Sequence, residues 1–151
     1  MIDFYLHFAG RLTLGAAVAL GWAGACRAGD VEVVRAWVAP SAQTGIDIPI
    51  QMAVVNRAAE ADALVRLRCP FANFSEKVTT DRGGEGPPAK RPVQAIAVRA
   101  GGETALTPEG AHVMLLQTRQ PLAEGERFVC AASFRKAGPL EVAVDVRRGP
   151  P

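Results

Sequence analysis

The sequence predicts an all-β domain, and three observations carry that expectation. Short β-prone runs recur along the chain from Val31 onward, separated by Pro, Gly and polar turn residues. No segment sustains an apolar period of 3.6 over three turns. The helix-prone stretch Arg57-Ala58-Ala59-Glu60-Ala61-Asp62 is too short and too polar to be more than a connecting turn. Many short strands at roughly regular spacing, with turn signals between them, argue for a sandwich or a closed barrel of about 8–9 strands.

The first strand is expected over Val31 to Val38, closed by Pro40, and the second over Ile48 to Asn56, with its ladder beginning after Pro49. Ala63 to Cys69 follows and stops at Pro70; Phe74 to Thr80 is a weaker run. Residues 81–91, rich in glycine and proline, are expected as one long exposed loop. Pro92 to Val98 alternates apolar with small or polar residues, as a half-buried strand does. Gly101-Gly102 turns the chain into Glu103 to Leu106, and Pro108-Glu109-Gly110 turns it into His112 to Gln117. Arg127 to Phe134 and Leu140 to Val146 complete the set, joined through Lys136-Ala137-Gly138-Pro139.

Residues 1–28 do not belong to this pattern. Arg11 precedes the weakly polar to apolar run Leu12 to Ala23, and small residues follow, with Cys26 and Ala28 placed as in an A-x-A-like site. This is the order of a cleavable secretory signal. The run falls short of the roughly 20 residues that cross a hydrocarbon core, so no membrane span is expected after cleavage. A transmembrane anchor and acylation of Cys26, as in a lipoprotein, are the competing readings. Export points to a periplasmic domain over residues 29–148. It also makes a disulfide between Cys69 and Cys130 plausible, the alternative being two buried thiols.

Composition excludes much. Without Asp3, Arg11 and Arg27 the 17 basic and 15 acidic side chains become 15 and 14, scattered without a basic patch, so nucleic acid is not an expected partner. Outside the leader, which takes His7, the single histidine is His112, which rules out a zinc hydrolase with several His ligands. No G-x-S-x-G elbow and no carboxylate pair close in sequence offers a catalytic centre, so the protein is not expected to be an enzyme.

His112 and Met114 are the residues with chemistry to offer. Two apart on a strand, they project from one face beside the Thr107-to-Gly110 turn. Imidazole with thioether suits copper, and the soft thioether favours Cu(I). A histidine beside a core methionine is also commonly structural.

From Val31 onward the chain resembles the periplasmic PCu(A)C copper chaperone family. The resemblance rests on Val31 to Trp37, Met52 to Asn56, Ala95 to Gly102, Phe134 to Gly138 and, most specifically, Leu106 to Leu115. It implies a cupredoxin-like Greek-key β-sandwich that holds Cu(I) with two His and two Met. It also implies a copper-accepting partner in cytochrome oxidase assembly. His112 and Met114 match the H-x-M half of that site. Where the family carries its first His this sequence has Ser75, and where it carries its first Met this sequence has Lys90. Met52 is expected in the core, and the two cysteines in a bridge or buried. The site is therefore expected to be degenerate, with two ligands and weak or partial coordination of Cu(I). The alternative is a binding or assembly module that kept the sandwich and lost copper.

Overall fold

The computed structural model describes residues 28–151; the leader expected over residues 1–28, including Cys26 and its acylation, lies outside the described residues apart from Ala28. After a single 3-10 turn at Ala28–Asp30 the chain forms ten strands. They are β1 (Val31–Val38), β2 (Ile48–Asn56), β3 (Asp62–Arg68), β4 (Ala72–Asp81) and β5 (Ala89–Pro92). β6 (Ile96–Val98), β7 (Gly102–Leu106), β8 (His112–Thr118), β9 (Arg127–Phe134) and β10 (Gly138–Val146) follow. The all-β expectation holds, and among the described residues there is no α-helix.

Hydrogen bonding runs in the order β5-β4-β8-β2-β1-β10-β9-β3-β6, with β7 on β2. β2 is where the two layers part: Ile48 to Ile50 pair with β8, and Met52 to Asn56 pair with β7. β1 and β10, the first and last strands, run parallel, which requires a chain crossover rather than a simple meander. The layers enclose a core in which Val38, Ile50, Leu64, Leu67, Phe71 and Leu115 are almost wholly buried. Phe71 and Phe128 meet in a tilted pair with ring centroids 4.7 Å apart.

The strand count exceeds the expected 8–9 because of β5. The glycines and prolines of residues 83–88 do form a loop, but Ala89 to Pro92 return to pair with Val78 to Asp81. β5 is exposed at all four residues, so it carries no apolar alternation for a sequence pattern to reveal. Pro92, lacking an amide proton, sits at the end of this edge strand, where its loss is tolerated. The run from Pro92 to Val98 consequently splits, and only Ile96, Ala97 and Val98 pair with β3.

β3 and β9 are antiparallel, with Arg68 opposite Ala131, so Cys69 and Cys130 fall at the next position of the same register. They form a disulfide with Cα atoms 4.4 Å apart. Asp62, at the other end of β3, is buried and accepts the backbone amides of Ala63, Lys136 and Ala137 at 2.7, 2.8 and 2.9 Å. Burial alone raises its pKa. The three amide donors and the positive charge of Lys136 outweigh that, and hold the carboxyl below its ordinary value.

Two predictions follow from these ties. The bridge spans 61 residues of sequence, so Cys69→Ala/Cys130→Ala should cost about 2–4 kcal/mol, read from denaturant melts. The depressed pKa of Asp62 contributes stability that is fully present above its unfolded value of about 3.9 and is lost as pH falls through the folded value. Asp62→Asn should therefore lower stability by about 1–3 kcal/mol at neutral pH, with the gap from wild type closing as acid is added.

Candidate metal centre

Val113 and Leu115 are fully buried in the main core, which turns His112, Met114 and Leu116 to the opposite face of β8. β4 lies antiparallel beside it with Val78 opposite His112, Glu76 opposite Met114 and Phe74 opposite Leu116. Pro49 of β2 pairs with Met114 from the other side. Lys90 of β5 pairs with Thr80, which places it on the same face.

The turn before β8 is firmly held. The Gly110 amide donates to the Thr107 carbonyl at 3.0 Å, and the Thr80 hydroxyl donates to the Pro108 carbonyl at 2.8 Å. The Thr107 side chain, hydrogen-bonded to Glu109, is the main reason that the Glu109 carboxyl lies below its ordinary value. This turn presents the Gly110 carbonyl to His112, whose Nδ1 lies 3.0 Å from it. A carbonyl oxygen only accepts, so Nδ1 carries the proton and the lone pair belongs to Nε2. His112 is fully buried, and its Nε2 has no hydrogen-bond partner among the described residues. A buried polar atom left so costs about 1–3 kcal/mol. The carbonyl that fixes the tautomer is the kind of support that metal-ligating histidines commonly have.

Met114 is half-buried, and Lys90 Nζ lies 3.6 Å from its sulfur. The lysine that stands at the expected first-Met position is thus turned toward the candidate site, with its ammonium on the thioether. Ser75 is not available to the site. It pairs with Leu115, on the opposite face of β4 from Glu76, and its hydroxyl donates to the Leu67 carbonyl. Met52 lies in the core, as expected, and Cys69 and Cys130 are consumed by their disulfide.

The two sequence-predicted ligands therefore share a face, and Lys90 joins them. Glu76 lies directly across from Met114, a place that depends on the β4–β8 register and leaves no signal in the local sequence. Among the described residues no group of three or more His, Cys, Asp and Glu gathers in a way that suits a metal. The donor set, one imidazole lone pair and one thioether, suits a soft monovalent ion and falls short of what hard cations require.

Comparison with solved structures finds the same architecture. The apo PCuAC domain from PmoF1 matches with a TM-score of 0.65 at 19% identity, covering 80% of this chain and 96% of that one. The copper-bound PCuAC domain from PmoF2 matches with a TM-score of 0.63 at 18% identity, covering 80% and 95%. Apo-DR1885 from Deinococcus radiodurans matches with a TM-score of 0.57 at 26% identity, covering 97% and 95%. No curated protein gives a significant match. The first two likenesses establish a shared cupredoxin-like sandwich fold. A family model described as putative lipoprotein LpqE-like matches residues 31–146, β1 through β10, and the chain belongs to that LpqE-like family, on the fold of the PCuAC domains.

Proposed function

We propose that this is an exported copper-handling domain that holds Cu(I) as cargo on His112 Nε2 and Met114 Sδ. The observation that carries the proposal is the buried, unpartnered Nε2 of His112, whose lone pair is oriented by the Nδ1 contact with the Gly110 carbonyl. The copper-bound PCuAC domain from PmoF2, a structural neighbour, and the fold shared with PCuAC domains support it. Two protein ligands leave coordination incomplete, so binding is weaker than at a four-ligand site and release proceeds by ligand exchange. The acceptor in this proposal is a copper-accepting protein of cytochrome oxidase assembly, and the protein is not an enzyme.

Export fits the same picture. In this proposal residues 1–28 are a cleaved leader and the domain works in the periplasm. The lipoprotein description of the family lends weight to acylation of Cys26 as the alternative means of retention. N-terminal mass spectrometry of the exported protein separates a free Gly29 terminus from a lipidated Cys26.

Lys90 governs how well the site works. Its ammonium lies 3.6 Å from the Met114 sulfur, and its charge opposes an arriving cation. The same contact favours a second reading, in which the domain is a binding or assembly module that no longer takes copper.

Titration of Cu(I) against a competing chelator, with ascorbate as reductant, decides between them. Wild type should bind, His112→Ala should lose binding, and Met114→Leu should weaken it roughly tenfold. Lys90→Met should strengthen binding by roughly tenfold, since it exchanges a repelling charge for a soft donor. Copper should also raise the melting temperature of wild type but not of His112→Ala. Identical curves for wild type and His112→Ala would sink the copper reading and leave the assembly module standing.

A further inference from the structure

On the other face of β4 lies a cavity of different character. β6 pairs only with Asp62, Ala63 and Leu64, so the stretch of β3 from Val65 onward faces β4 across a gap. That gap is a cavity of about 370 Å³, lined by Arg66 and Arg68 of β3 and by Asn73, Ser75 and Lys77 of β4, with Phe74 at its rim. It falls within the usual size range of small-ligand sites. Its walls are tied. The Cys69–Cys130 disulfide anchors the end of β3, and the Ser75 hydroxyl bonds the Leu67 carbonyl from β4 to β3. At the other end the Val93 amide donates to the Lys77 carbonyl at 2.8 Å.

The charged groups of this cavity are all of one sign. No carboxylate lines it, and none of Arg66, Arg68 and Lys77 forms an ion pair among the described residues. Arg82, Lys90, Arg99, Arg119, Arg135 and Arg147 likewise form no ion pair among the described residues, so what distinguishes Arg66, Arg68 and Lys77 is that they gather around one cavity. By contrast, the cavity beside Asp145 mixes Glu124, Glu126 and Asp145 with Arg147. Three like charges around one tied cavity repel one another unless an anion is bound between them.

We infer that the cleft between β3 and β4 binds a phosphate group, through Arg66, Arg68 and Lys77, independently of the His112 face. Charge matching selects the ligand class. A carboxylate leaves two of the three cations uncompensated, whereas a phosphate monoester carries close to two negative charges near neutral pH. Arg66 and Arg68 stand two apart on one face of β3, about 6.6 Å along the strand. That spacing lets two guanidinium forks reach a tetrahedral anion from either side. Lys77 adds a point charge from the opposite wall, and the Asn73 amide, one proton of which is given to Gln117 Oε1 at 3.4 Å, keeps a second as a neutral donor. The phosphate comes from a soluble ester or from the headgroup of a lipid.

The test uses the full exported chain at low ionic strength, titrated with inorganic phosphate and followed by amide NMR shifts and calorimetry. Saturable binding with shifts at Arg66, Arg68, Asn73 and Lys77 is expected. Arg66→Ala/Arg68→Ala should weaken it by roughly tenfold or more, while Arg135→Ala leaves it unchanged. Lys77→Ala, on a different strand, should weaken it several-fold and serves if the double variant fails to fold. Vesicles containing phosphatidic acid distinguish the sources. Binding to them that soluble phosphate displaces identifies a headgroup, and phosphate binding without vesicle binding identifies a soluble ester. Absence of saturable phosphate binding, equal binding by wild type and the arginine variants, or binding only to an acidic peptide would overturn the inference.

Discussion

The register of β8 is the constraint on which the rest of the structure depends. Val113 and Leu115 are fully buried in the core, and burying a side chain of this size is worth about 1.5–3 kcal/mol. A slip of one residue would take both off the core face and put Met114 and Leu116, which are only half-buried, in their place. The imidazole would then lose the Gly110 carbonyl that satisfies its Nδ1. Against that penalty, the unsatisfied Nε2 of the native register is a smaller cost. Apolar burial therefore determines where the only imidazole among the described residues points, and the candidate metal centre is a by-product of core packing in β8.

The same parity divides β4 into two chemistries. Its even-numbered residues Phe74, Glu76 and Val78 lie opposite Leu116, Met114 and His112. Its odd-numbered residues Asn73, Ser75 and Lys77 line the cationic cavity toward β3. Ser75 shows how the division bears on the metal site. On the cavity side its hydroxyl ties β4 to the Leu67 carbonyl and helps to hold the two layers together. A residue in that role cannot also serve the His112 face.

Lys90 is the complementary case. It sits on β5, an exposed edge strand whose side chains meet little of the core, so its long stem is free to reach Met114. An ammonium on a thioether is a weak pairing, because sulfur is a poor acceptor. That weakness makes the contact displaceable by a soft ion with real affinity for sulfur, while the charge still opposes any cation that lacks such affinity.

What was legible in the sequence was local. Short β-prone runs bounded by turn residues, such as Val31 to Val38 and His112 to Gln117, revealed strands, and the i, i+2 spacing put His112 and Met114 on one face, because a strand's side-chain period is a property of the backbone alone. Nine of the ten strands were visible for this reason. β5 was not, since an edge strand exposed at every residue leaves no apolar trace. Pairing partners were beyond reach too. That Cys69 meets Cys130, that Lys90 meets Met114, that Glu76 faces Met114, and that Arg66, Arg68 and Lys77 surround one cavity all depend on register between strands distant in sequence. The sequence by itself determined the strands and the chemistry each could offer. Only the tertiary structure decided which of those groups meet, because register is selected by how the whole core closes.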